Sequence, residues 1–127
     1  MYDRVLVDAP GTGTGTWRRN PDARHRLSEQ DLLELTRKQS SILDAARTLV
    51  RVGGRLVYAT CSLLQEENEG QVSGFLLRHP EFSLVPLARS WPFDRAGTDV
   101  FSGEMLSLTP AGHGTDGFFA AVLERLT

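Results

Sequence analysis

Apolar and polar positions fall into short blocks along this chain. Val5-Leu6-Val7 is a compact, β-branched apolar run, entered from Tyr2-Asp3-Arg4 and stopped by Asp8-Ala9-Pro10. It predicts a buried parallel strand with a polar residue at its carboxyl end. Residues 11–27 break the pattern. Gly11, Gly13 and Gly15 alternate with threonines, and Trp17, two arginines and Asn20-Pro21-Asp22 follow, so the stretch reads as loop. Ser28 then stands as a helix N-cap, with Asp31 three residues on as a capping-box partner. Leu32, Leu35, Gln39, Ile42, Leu43, Ala46, Leu49 and Val50 recur at threes and fours. This spacing predicts an amphipathic helix of about six turns, with Gly53-Gly54 as its left-handed stop.

Arg55–Thr60 repeats the buried-strand pattern, and Cys61-Ser62 follows at once. Strand, loop, helix and strand together make a right-handed βαβ crossover. A shorter helix is expected over Gln65–His79, with Val72, Phe75 and Leu76 facing inward and Pro80 beyond its end. Phe82–Val85 reads as a third strand and residues 86–103 as irregular chain. Met105–Leu108 and Phe118–Leu123 flank a Gly-rich connection and predict an antiparallel hairpin at the sheet edge. The fold class is α/β. A buried parallel strand needs neighbours on both sides, and almost no chain precedes residue 4. Residues 1–127 are therefore expected to form the carboxyl-terminal half of a larger domain, with an exposed sheet edge inclined to self-association.

Composition narrows the function. With 127 residues, 40% of them hydrophobic, the chain can bury a core, and no apolar run reaches the roughly 20 residues that cross a bilayer. No secretory signal stands at the amino terminus, and a single cysteine excludes both a disulfide framework and a Cys-rich zinc module. A cytoplasmic location and no metal are the expectations. A formal charge of −2 argues against a surface that is basic throughout. A nucleic-acid contact would be confined to the basic cluster of Arg18, Arg19, Arg24, His25 and Arg26.

In an open parallel sheet, ligands bind beyond the carboxyl ends of the strands. Asp8 ends the first strand and Cys61 follows the second, so adjacent parallel strands would bring both to one rim, about 5 Å apart in strand spacing. A carboxylate and a thiol at such a rim make a plausible reactive pair. Taken alone, the cysteine could equally be a small core filler and the aspartate a loop cap. The Gly-x-Gly-x-Gly spacing is not the dinucleotide fingerprint.

Longer motifs sharpen the reading. The run from Asp8 to Asp22, with Pro10, Gly11 and the Arg18-Arg19 pair, closely resembles the fourth motif of the RsmB/Nop/Sun family of RNA cytosine-5 methyltransferases. Tyr58-Ala59-Thr60-Cys61-Ser62 resembles that family's sixth motif, and Glu66-Glu67-Asn68-Glu69 the segment after it. His113–Ala121 resembles the closing hairpin. The resemblance covers essentially the whole chain. It implies a Rossmann-like class I methyltransferase sheet and methyl transfer from S-adenosylmethionine to cytosine C5 in RNA, ribosomal RNA in particular. It also implies roles. Cys61 would be the thiolate that adds to C6, and Asp8 would contact the donor or the base. Pro10 would shape the base pocket, and Arg18 and Arg19 would meet phosphates.

Two departures from the family pattern stand out. Gly11 occupies the position of a second cysteine associated with release of the covalent adduct. The Gly-rich loop and acidic residues that hold the donor lie on strands that would precede this chain, so the isolated chain is expected to be inactive. The competing expectations are a relict that holds RNA without catalysis and a nucleotide-dependent enzyme of another kind.

Overall fold

The computed structural model describes residues 1–12, 28–86, 101–102, 105–108 and 117–127. Among the described residues six strands form one mixed sheet: β1 (Tyr2–Asp8), β2 (Val50–Thr60), β3 (Phe82–Val85), β4 (Phe101–Ser102), β5 (Met105–Leu108) and β6 (Phe118–Arg125). The helices are α1 (Glu29–Ala46) and α2 (Glu69–Arg78). Along the sheet the order is β1-β2-β6-β5-β4, with β3 also paired to β6. β1 and β2 are parallel, as a helical crossover requires, and β6 runs antiparallel to β2.

The closing pair is antiparallel as expected, but β6 is not an edge strand. It lies between β2 on one side and β3 and β5 on the other. Its sequence explains this, since Phe119, Ala121 and Leu123 are all buried and demand cover. β1 stands at the end of the strand order, as the expected exposed edge requires. Its apolar run predicts burial, yet β2 is its one partner among the described residues and Leu6 is 69% exposed. Alternation accounts for the difference: Val5 and Val7 share a face with their partners Leu56 and Tyr58, while Leu6 lies on the other.

That face, completed by Phe119, Ala121 and Leu123 of β6, packs with Leu43 of α1 and with Val72 and Phe75 of α2 into one core. Ser28 caps α1 through the predicted capping box with Asp31, its hydroxyl accepting from the Asp31 amide at 3.1 Å. α1 ends at Ala46, earlier than its periodicity predicts. Arg47–Leu49 tightens into a 3-10 turn, and fully buried Val50 opens β2. Gly53 does adopt a positive φ of 82°, but inside β2. There Tyr2 pairs with Val50 while Arg4 pairs with Arg55, so β2 bulges. The bulge brings backbone so close to Gly54 that a Cβ there would lie 2.9 Å from the Arg51 carbonyl oxygen.

Candidate functional site

The parallel pairing of β1 with β2 sets the rim. Asp8 is in register with Ala59, and the Ala9 amide donates to the Ala59 carbonyl at 2.9 Å. Cys61 lies two residues beyond Ala59, is exposed, and is the single cysteine of the chain. Asp8 and Pro10 are exposed as well. Strand alternation puts Asp8 and Ala59 on the face turned away from the helices, and exposed Cys61 follows the last residue of β2. A carboxylate and a thiol thus sit near the carboxyl ends of adjacent strands, where open α/β sheets bind ligands. Arg18 and Arg19 lie outside the described residues.

Beneath the rim, on the helix side, is a buried polar cluster that the sequence did not announce. Glu67, Gln39 and Thr60 are fully buried, and Ser62, Asn68 and Gln71 nearly so. One Glu67 oxygen accepts from the Thr12 amide at 2.8 Å and from Gln39 Nε2 at 3.0 Å. The other accepts from the Thr12 hydroxyl at 2.7 Å and from the Ser62 hydroxyl. Gln39 Nε2 also donates to the Pro10 carbonyl at 2.8 Å, and Gln71 Nε2 donates to Gln39 Oε1 at 3.3 Å. The Thr60 hydroxyl donates to Asn68 Oδ1 at 2.5 Å, and Asn68 Nδ2 donates to the Ser62 carbonyl at 2.9 Å. The two residues flanking Cys61 are therefore both fastened inward, while Cys61 faces out.

The loop that carries Glu67 folds this way because the expected helix over Gln65–His79 is broken. Gln65–Glu67 forms a 3-10 turn, Asn68 leaves helical geometry at φ −112°, ψ −101°, and α2 starts at Glu69. The break turns Glu67 inward and leaves Glu66 exposed. Tyr58 seals the cluster from below, its hydroxyl donating to the Glu67 carbonyl at 2.7 Å. Burial, with the negative charge of Glu67 beside it, pushes the Tyr58 hydroxyl above the ordinary tyrosine range. Gly11 belongs to the same unit. A Cβ at position 11 would fall 2.6 Å from Glu67 Oε1 and 3.3 Å from Gln39 Nε2. The space that a cysteine would need is taken by the carboxylate.

Comparison with known proteins decides the family. Residues 1–124 match the model of the family described as 16S rRNA methyltransferase RsmB/F. The chain belongs to this family. Ribosomal RNA small subunit methyltransferase B of Thermus thermophilus is 42% identical over 97% of this chain and 29% of its own length. Among solved structures, PH0851 superposes with a TM-score of 0.83 at 45% identity, over 97% of this chain and 26% of that one. NSun6 from Pyrococcus horikoshii, solved with SFG, gives a TM-score of 0.75 at 32% identity, over 96% of this chain and 29% of that one. The sheet is Rossmann-like, as in these neighbours. The chain spans less than a third of the length of each of these three.

Toward a methyl donor, the described residues offer little. Asp8 is an exposed carboxylate at a strand end and fits a single polar contact, but one carboxylate cannot enclose an adenosine. Among the described residues no helix is long and apolar enough to cross a membrane. Sequence reasoning missed Gln39 and Glu67 as parts of the site. The signal for Gln39 was present, as a polar residue within an otherwise apolar stripe. Glu67 gave none, because it stands in a run of acidic residues that resembles a solvated face.

Proposed function

We propose that this chain is the nucleophile-bearing part of a methyltransferase acting on cytosine C5 in RNA, ribosomal RNA by preference, within a cytoplasmic enzyme. Cys61, as thiolate, adds to C6 of the base, forming an S–C6 bond and moving an electron pair toward C5. S-adenosylmethionine, held mainly by residues outside this chain, would supply the methyl group: the electron pair at C5 takes the methyl carbon, its bond to the sulfonium sulfur breaks, and S-adenosylhomocysteine leaves. The C5 proton passes to water, its electron pair re-forms the C5–C6 double bond, and the S–C6 bond breaks to free the thiolate. This is covalent catalysis, one hard step divided into easier ones. Asp8 touches the donor or the base, Pro10 shapes the base pocket, and Arg18 and Arg19 meet RNA phosphates. Among the described residues β1 is paired on one side alone, and this edge, with Leu6 exposed beside it, supports lateral association in the isolated chain.

The observation that carries the reading is the exposed, solitary Cys61 at the end of β2, one strand away from Asp8. The family matches supply the reaction class. The test grafts residues 1–127 in place of the matching segment of the Thermus thermophilus relative. With S-adenosylmethionine and RNA containing 5-fluorocytosine, the graft should form a denaturant-resistant protein–RNA adduct, because fluorine cannot leave as the proton does. Cys61→Ala should abolish it. An adduct that survives this substitution would remove Cys61 from the mechanism. By titration calorimetry the isolated chain should not bind S-adenosylmethionine, and micromolar binding would overturn the incomplete donor site.

A further inference from the structure

Glu67 lies at the junction of two segments far apart in sequence. Its carboxylate accepts four hydrogen bonds: two from Thr12, one from Gln39 and one from Ser62. All four donors are neutral, and a carboxylate, which only accepts, suits such a set as no amide could. Thr12 belongs to the segment that leaves β1 just after Asp8 and Pro10. Ser62 belongs to the turn that leaves β2 just after Cys61. Gln39 adds a second tie to the first segment through the Pro10 carbonyl, and Asn68, next to Glu67, adds a second tie to the other through the Ser62 carbonyl. The Glu67 carbonyl is itself anchored by the Tyr58 hydroxyl.

We propose that Glu67 is the positioning residue of this rim. Its carboxylate locks the segment after β1 to the turn after β2, and so fixes where the Cys61 sulfur stands against Asp8 and Pro10. Glu67 is fully buried and touches no solvent, so it acts through Thr12 and Ser62 rather than on a substrate. Backbone pairing of β1 with β2 ends at Asp8 and Ala59, apart from the Ala9 amide. Beyond that point the carboxylate replaces the missing ladder. Glycine at position 11 follows from the same arrangement, since the carboxylate stands where a side chain would begin. The proposal rests on the reading of Cys61 as nucleophile for its catalytic meaning, and on the hydrogen bonds alone for its structural content.

The test uses the 127-residue chain with 13Cβ-labelled cysteine. One cysteine gives one assigned resonance. Thr12→Val removes a hydroxyl on the β1 side of the lock and leaves the β2 side untouched. It should move the Cys61 resonance by more than a linewidth and raise amide exchange in residues 61–64 about tenfold, the scale of one lost hydrogen bond to a charged group. Ser62→Ala should reciprocally raise exchange at Ala9 and Thr12. In a Glu67→Gln background, Thr12→Val should no longer reach Cys61. A residue that merely stabilised the fold would raise exchange throughout the sheet and would not couple the two segments. If each substitution loosens only its own segment, or if β6 exchanges in step with the rim, the proposal is wrong. Should Glu67→Gln fail to fold, the reciprocal effects of the two single variants still decide. None of these readouts depends on which residue attacks a base. A Cys61→Ala graft that still forms adduct would overturn the nucleophile and leave the lock standing, and uncoupled segments would do the reverse.

Discussion

Around Phe75, Phe119 and Leu123 the interior is apolar, and around Glu67, Gln39 and Thr60 it is polar, yet all six side chains are fully buried. The two regions meet at Tyr58, whose ring packs edge-on against Phe119 at 6.4 Å while its hydroxyl reaches the Glu67 carbonyl. They answer different physical needs. Apolar packing is strong in aggregate but weakly directional, and it tolerates small shifts. A hydrogen-bonded cluster contributes little net energy per bond, yet each donor and acceptor must be met in one geometry. A sheet needs the first to hold together. A rim that presents a thiol beside a carboxylate needs the second.

The largest effect should come from the apolar side. Phe75 makes edge contact with Phe82 at 5.1 Å and a tilted contact with His79 at 4.8 Å, with no exposed surface. Phe75→Ala should cost about 3–5 kcal/mol, because the helix and sheet cannot close over the void. Urea unfolding followed by circular dichroism measures it. A loss under about 1 kcal/mol would mean that this region is not the main source of stability and would dissolve the contrast.

The polar side gives a sharper comparison, because there a substitution can keep volume and remove only hydrogen bonds. Gln39→Leu is close to isosteric. It strips the Pro10 carbonyl and Glu67 Oε1 of a donor and Gln71 Nε2 of an acceptor. Were burial all that mattered, leucine would be neutral or better. The expected outcome is a loss of about 2 kcal/mol, because the buried Glu67 carboxylate loses one of its four donors and Gln71 Nε2 keeps only the Thr36 carbonyl. The same unfolding measurement checks it, and equal or greater stability would show that the cluster tolerates a missing member.

The same contrast explains what could be read from the amino acids. The capping box at Ser28 and Asp31 and the inward Val72 and Phe75 were legible, because each depends on neighbours three or four residues away. The parallel pairing of β1 with β2 was legible from the helix between them. Which face of β1 is covered was not, since Val5-Leu6-Val7 is equally apolar on both faces and only the fold assigns one face to the helices. The rim pair follows from strand ends and topology. The cluster beneath it does not, because Thr12 and Glu67 are 55 residues apart and no local pattern joins them. Gly53 misled for a similar reason. Its positive φ was foreseen, but whether it would end a helix or turn a bulge depended on where Val50 found its partner.

The smallest expected effect tests the boundary itself. Tyr58→Phe keeps the ring in the apolar region and deletes the one hydroxyl that enters the polar one. Near neutral pH it should cost about 1 kcal/mol, one buried hydrogen bond. The pH dependence is more telling. Burial, helped by the charge on Glu67, raises the Tyr58 hydroxyl above its ordinary value of 10.0. Below pH 10 the folded and unfolded chains both hold this proton, so the contribution is fully present. Above pH 10 the unfolded chain releases it while the folded chain keeps it, and stability falls by a little over 1 kcal/mol per pH unit. Tyr58→Phe lacks that term. Stability curves of the two proteins, measured in urea from pH 8 to pH 11, should therefore converge above pH 10 and meet near pH 11. Parallel curves across that range would mean that the hydroxyl ionises as freely in the folded chain as in water, and that the polar cluster is open to solvent where the structure closes it.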